Sequence, residues 1–501
     1  MERRDFAAAK DLDVGAIYLG ADIGTTSAKC LAVDEDGRVL GSAQHPYALS
    51  HPHENWAEQD AEDYWRGLVD VVTACVRACE EQGRTSREIN ALALSTQGDT
   101  LIMVDETGTP LAPAISWMDT RAERQCRELI AETGPRFWYR ETGARLTPYS
   151  SACKIRWLAQ AAPELRARVH RFCGVPDFLA HRLCGNFVTD VPSASWTPLF
   201  SPSERQWSEQ VVRRLEVDSL TLPQVVESGT TIGALLPETA STLGLSADAV
   251  LVAGAFDQAA AAYGTGATAG RTSVLSCGTA WVLYAVSSVP VVDERERIAI
   301  CCHTSASEWG LVLPFTGGAA YDWFHAAFCT GVDEDTRAEP LVFIPHLYGG
   351  LSPDWRAESR GSLLGLTMAH SYGDVEAAVM RGLACEARRN VETAEALCAG
   401  IPSLRMVGGA GRSDVWPQMI ADVLGRPVGV SELTEAACYG AAKLAAGAAA
   451  QGWDETESAR EFVPDSRQAE AESRFYERYL RAYEAVLEFY AGGSSADGAR
   501  D

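Results

Sequence analysis

The sequence predicts a mixed α/β protein of two domains, and three observations carry that reading. The chain has 501 residues, 47% of them hydrophobic, more than the roughly 250–300 residues that one core usually serves. Its opening stretch, "YLGADIGTTSAKCLAVDEDGRV", sets two apolar runs around a Gly-Thr-Thr-Ser turn. Near Leu251 the same grammar returns as an apolar strand, a small-residue helix and a strand–Gly-Thr–strand unit. Duplication and independent repetition of α/β grammar both account for the echo.

The first strands are expected at Ala16–Ala21, Ala28–Val33 and Arg38–Gln44, the last two joined by the turn "DEDG". A helix follows, because Trp65, Leu68, Val72, Cys75, Val76 and Cys79 recur at helical spacing, with acidic residues before them and Gly83 after. "INALALSTQGDT" reads as a buried strand running out into a polar loop, and "LIMVDETGTPLAPAISWMD" as strand, turn and strand. From about 122 to 230 the chain is expected to be mostly helical, with Pro-marked turns. Later, "DVEAAVMRGLACEARRNVETAEALCAG" is a helix and "SLRMVGGAGRSDVWPQMIADVLG" is strand, glycine turn and helix. "ELTEAACYGAAKLAAGAAAQG" is a helix with a small-residue face, suited to close approach of another helix or a bound ligand, or simply rich in Ala. The domains are expected at 14–253 and 254–490, with 491–501 a frayed tail and the last small-residue helix returning onto either domain.

Lys and Arg total 43 against 68 Asp and Glu, a formal charge of -25. That balance argues against a nucleic-acid surface, but small anions are still held by backbone amides and helix ends. The 14 cysteines include no CxxC pair, so reduced thiols in a cytoplasmic protein are expected. No apolar run approaches 20 residues, and Lys10, Asp11 and Asp13 break the N-terminal stretch. The start therefore reads as a ragged tail rather than a signal peptide, and no membrane partner is expected.

Three glycine turns carry the candidate chemistry. In the first, Gly24 exposes amides, Thr25, Thr26 and Ser27 add hydroxyl donors, and Asp22 is suited to holding Mg²⁺ through water. Lys29 either reaches a phosphate or faces solvent. The turn is neither a GxxxxGK[ST] loop nor a GxGxxG fingerprint, so an ordinary turn and a phosphate site both fit it. Gly278-Thr279 and Gly408–Gly411 form the second and third. Asp257, with Gln258 beside it, suits a general base or a helix N-cap. Gln97, Asp99, Trp117, Asp119 and Arg121 gather at strand ends, where short polar groups beside an indole suit a small polyhydroxylated ligand. A packing role for Trp117 and a local ion pair for Asp119–Arg121 are the plainer alternatives. "HENWAEQD" reads as the capped start of its helix, with Trp56 and Glu58 as substrate-edge or lid candidates.

The motifs "DIGTTSAKC", "ISWMDTR", "GAFDQ", "SCGTAW", "RGSLLGLTMAH" and "VGGAGRSDVWPQMIADVLGRPV", in this order, resemble those of the FGGY carbohydrate kinases. That resemblance implies two ribonuclease-H-like, actin-like ATPase domains around a central cleft. It places the sugar mostly against the first domain and ATP in the cleft. It also implies Asp22 as the Mg²⁺-associated carboxylate, with Thr25, Thr26 and Ser27 near the γ-phosphate. Gly278 and Thr279 match the second phosphate loop, Gly317 and Gly318 lie near the nucleotide, and Gly409, Ala410 and Ser413 match the adenosine turn. Asp257 matches the family's general base, acting on a primary hydroxyl. Substrate choice is less sharp. Xylulose kinases of the family carry Met-His and glycerol kinases Arg-Glu where this chain has Gly98-Asp99, and Gly98 leaves room where Arg would stand. A ketopentose such as xylulose is the preferred reading. A polyol, a deoxyketose or gluconate is the alternative, and a nucleotide-gated binding protein is the reading from another class. Family members are often dimers.

Overall fold

A computed structural model describes residues 15–328, 339–398, 400–453 and 460–491. Most of the expected tail, 492–501, lies outside the described residues. The first sheet has six strands, in the order Thr231–Ala234, Val250–Phe256, Ile89–Thr96, Ile17–Ile23, Ser27–Asp34 and Val39–Pro46. Its centre is parallel and both edges are antiparallel. The central strands are apolar on both faces because both faces are covered. Helix Ala61–Glu81 covers one face, started by Asp60 accepting from the Glu62 amide and burying Tyr64, Leu68, Val72, Cys75 and Cys79.

The second sheet runs Ala299–Cys302, Trp309–Thr316, Ala280–Ser287, Thr272–Cys277, Ser403–Val407, Val428–Val430 and Arg460–Phe462. Leaving aside its first strand, the pairing repeats that of the first sheet. Each has a three-strand antiparallel meander, two parallel additions and an antiparallel edge. The echo seen in the sequence is therefore an echo of topology. The molecule has two α/β domains of actin-like fold with a cleft between them.

The small-residue helix Ala436–Ala446 packs on the first sheet although it comes late in the chain. Its closeness explains its composition. A Cβ on Gly20 would lie 1.9 Å from the Cys438 carbonyl oxygen, and one on Gly440 would lie 1.9 Å from the carbonyl oxygen of Ala260, in helix Asp257–Gly264. The two helices cross backbone to backbone at the junction of the domains.

Between the strands of the first domain, a largely helical lobe has its own core around Leu129, Trp138, Ile155, Leu158 and Phe172. This lobe also reaches the second sheet. The Ile300 amide donates to the Gly143 carbonyl at 2.8 Å, the Cys302 amide to Ser195 Oγ at 2.8 Å, and Trp309 Nε1 to the Pro202 carbonyl at 2.9 Å. Among the described residues no helix is long and apolar enough to cross a membrane, and the cysteines are free and mostly buried.

Candidate active site

Three neighbouring parallel strands of the first sheet, Ile17–Ile23, Ile89–Thr96 and Val250–Phe256, end on one side. Ligands of α/β sheets gather at such strand ends. Asp22, Gln97 and Asp257 all sit there.

The first glycine turn is held from behind. The Gly24 amide donates to the Ser27 carbonyl at 3.0 Å, Tyr47 OH to the Gly24 carbonyl at 2.5 Å, and Gln59 Nε2 to the Thr25 carbonyl at 2.6 Å. Thr25 Oγ1 donates to Gln97 Oε1 and accepts from Trp117 Nε1, both at 2.8 Å. Gln97 Nε2 in turn donates to Tyr64 OH at 3.0 Å, leaving Gln97 buried and engaged at both ends. One threonine thus couples the proposed phosphate turn to two of the proposed sugar residues.

Asp22 faces Lys29 across the hairpin and accepts from Ser95 Oγ at 2.7 Å. Burial, and then the nearby charge of Asp257, push its pKa up to about 7. Asp257 is the first residue of its helix, and Phe256, not Asp257, is the N-cap. Its carboxylate accepts from the Gln258 amide at 2.7 Å, and burial pushes its pKa up to about 6. The N-cap alternative is therefore not what the fold uses. Lys29 pairs with Glu435 at 2.7 Å, so its ammonium is already balanced.

The second and third turns nest. The Gly278 and Thr279 carbonyls accept from the Gly318 and Ala319 amides at 3.0 and 2.9 Å, so helix Gly318–Phe328 begins on the second turn. A Cβ on Gly317 would strike Trp281 at 2.1 Å, and one on Gly318 the Gly278 carbonyl oxygen at 2.7 Å. Gly408 has φ +97° and backs onto the Cys277 carbonyl. Gly278, Thr279 and Gly409 remain exposed, and nothing lies within 4 Å of a Cβ on Gly409. Ala410 is half-buried, and Ser413 Oγ accepts from the Val415 amide at 3.2 Å. Open backbone of this kind suits phosphates and a nucleoside, which need close approach.

Comparison with known proteins gives the family. Residues 17–264 match the N-terminal domain and 226–449 the C-terminal domain of the FGGY family of carbohydrate kinases. The glycerol kinase of Bordetella parapertussis is 30% identical over 455 residues, covering 85% of this chain and 87% of that protein. The chain belongs to the FGGY family of carbohydrate kinases. The xylulose kinase of Escherichia coli K12 is 28% identical over 422 residues, 82% of this chain and 85% of that one. The crystal structure of a xyloylose kinase from Brucella ovis superimposes with a TM-score of 0.87 at 27% identity, covering 94% of this chain and all of that one. The protein is a sugar or polyol kinase with an ATP-binding fold.

In this FGGY kinase the expected sugar residues divide into two groups. Trp117 is 42% exposed, and its N–H is committed to Thr25, so it offers only the indole surface. Asp99, at φ +53°, accepts from the Ser151 amide at 3.0 Å and from Ser151 Oγ, and Lys154 Nζ donates to its carbonyl at 2.9 Å. Burial raises its carboxyl pKa to about 6. Asp119 and Arg121 instead form a buried pair at 2.7 Å, with Arg121 also on Glu58 and stacked 3.6 Å from the Trp56 ring. These four residues fasten the segment before the first helix; that contact, not a lid, is what the structure shows for Trp56 and Glu58. The room expected beside Gly98 is not there. A Cβ on Gly98 would lie 2.2 Å from Cδ1 of Trp196. Sequence reading missed Trp196, and also Tyr149, which is 39% exposed and lies two residues before Ser151, the partner of Asp99. It missed the supporting trio Tyr47, Gln59 and Tyr64 as well. None of these stands in a glycine motif, which was the signal followed.

Proposed function

We propose that this kinase transfers the γ-phosphoryl group of ATP to a primary hydroxyl of a ketopentose such as xylulose, in the cytoplasm, with Asp257 as general base. One observation supports the role of Asp257 above others. Its carboxylate, with a pKa of about 6, stands at a strand end beside Asp22, and among the described residues only its neighbour Gln258 donates to it. As the hydroxyl oxygen bonds to the γ-phosphorus and the bond to the β-phosphate oxygen breaks, Asp257 takes the hydroxyl proton and ADP leaves. The three glycine turns hold the nucleotide in place while this happens.

Asp22 fits a Mg²⁺ site. One of its oxygens is anchored by Ser95, and no group of three metal-binding side chains exists among the described residues. Mg²⁺ commonly uses one or two carboxylates, with water and phosphate oxygens completing its shell. Bound there, it would neutralise charge on the phosphates.

Charge also bears on the substrate. Around the proposed sugar residues, Arg121 is consumed by Asp119 and Glu58 and Lys29 by Glu435, while Lys154 is fully buried and donates to the Asp99 backbone carbonyl. Among the described residues no exposed, unpaired cation stands beside them to receive a carboxylate, which favours a neutral sugar over gluconate. The similarity to proteins named xylulose kinase favours the ketopentose. A polyol kinase is the second reading, favoured by the 30% identity to the glycerol kinase of Bordetella parapertussis.

An ATP-consumption assay over xylulose, ribulose, fuculose, rhamnulose, glycerol, erythritol, arabitol and gluconate tests this. Xylulose is expected to show the highest kcat/KM and gluconate none. Turnover of gluconate at a rate comparable to xylulose would refute the charge argument, and silence with every compound would refute sugar phosphorylation.

A further inference from the structure

We infer that Trp196 is a substrate-binding and specificity-determining residue of this kinase, standing where a side chain at position 98 would otherwise project. The inference rests on the sugar-kinase reading and adds to it a residue outside every motif used so far.

Three observations converge on this indole. First, it occupies the space of the missing side chain. An added Cβ on Gly98 would meet Trp196 Cδ1 at 2.2 Å, Nε1 at 2.9 Å and Cγ at 3.1 Å. Gly98 lies between Gln97 and Asp99, in the loop after the central strand. Second, the ring is stacked on Phe256, with centroids 5.0 Å apart and planes 8° from parallel. Phe256 directly precedes Asp257. The indole therefore bridges the loop of Asp99 to the strand end that carries the proposed base. Third, its polar edge is unspent. Trp196 is only half-buried, and among the described residues its Nε1–H donates to no protein acceptor, whereas Trp117 Nε1 is used by Thr25.

A half-buried, stacked aromatic with a free N–H beside the Gly98 loop offers a polyhydroxylated ligand two things: an apolar surface for a C–H edge and one directed donor. A neutral oxygen, either a carbonyl or a hydroxyl, is the matching partner. Substrates that present such an oxygen toward the Gly98 side would gain over those that do not, because specificity is a difference between affinities. Gly98 and Trp196 are also one unit of volume, so neither tolerates enlargement of the other.

The test uses the best sugar of the panel and two conservative changes. Trp196→Phe keeps an aromatic ring against Phe256 and removes the N–H together with part of the indole surface. It is expected to lower kcat/KM for that sugar by roughly three- to tenfold, the usual worth of a neutral hydrogen bond, with KM for ATP within twofold of wild type and melting unchanged. Gly98→Ala alone is expected to lose more activity than the same change made in a Trp196→Ala background, and Trp196→Ala is expected to reorder the panel. Wild-type turnover, measured first, decides the kinase reading; the variant-to-wild-type ratios decide this one. Unchanged sugar kinetics in Trp196→Phe together with an unchanged panel order in Trp196→Ala would overturn the inference.

Discussion

Replacing Asp257 by Asn is expected to lower kcat by ~10²–10⁴-fold, the usual range for loss of a positioned general base, while ATP binding persists. The same change is expected to make the protein more stable. Burial holds the folded-state pKa of Asp257 at about 6, against roughly 3.9 in an unfolded chain. A raised carboxylate favours the fold fully below pH 4, and that contribution is lost as pH rises through 6. At pH 8 wild type has lost it, but Asn carries no charge to desolvate. A gain on the order of 1–3 kcal/mol at pH 8, vanishing at pH 4, is expected in denaturant titrations. The wild-type kcat/KM should fall on the acid side, below about pH 6, as the base becomes protonated. Near-normal turnover by Asp257→Asn would remove the residue from the role. Equal stability of the two proteins at pH 8 would mean that its carboxylate is better solvated than the fold suggests.

Gly440→Ala is expected to destabilise the kinase, and Gly440→Val to do so by about 3 kcal/mol or more. The sign is the informative part. In a solvent-exposed helix, Ala is preferred to Gly by ~1 kcal/mol. Here a Cβ would lie 1.9 Å from the Ala260 carbonyl oxygen and 3.0 Å from the Gly264 amide nitrogen, both backbone atoms that no rotamer change can move. The helices would have to separate, and Ala436–Ala446 would lift from Gly20 and the first sheet with them. Denaturation midpoints of the two variants check the order wild type, Ala, Val. A Gly440→Ala midpoint at or above wild type would show that the helix pair is looser than its contacts imply.

The strand–turn–strand units were legible because their signals are local. Ile17–Ile23 and Ser27–Asp34 are apolar runs broken by a residue that permits a turn, and helix Ala61–Glu81 shows its buried stripe at the expected spacing. Asp257 could be singled out for the same reason, as a lone carboxylate just past an apolar run. What could not be read was who meets whom across distance. Trp196 is nearly 100 positions from Gly98, and Trp117 Nε1 reaches Thr25 over 92. Neither contact leaves a periodicity behind. Glycine at 98 looked like empty space because the residue that fills it lies in a different part of the chain. The small face of Ala436–Ala446 is legible in the sequence, but only the fold shows that it presses on Gly20 and Ala260.

The seam between the helical lobe and the second sheet has a consequence for solubility. Strand Ala299–Cys302 forms one margin of that sheet, and a strand at a margin is a template for unwanted pairing with other chains. Its outward amides at Ile300 and Cys302 are already taken, by the Gly143 carbonyl and by Ser195 Oγ. The first domain thus acts as a guard for the second. A fragment carrying the second sheet without the lobe would offer those amides to its neighbours, and its failure in solution would be self-association before unfolding.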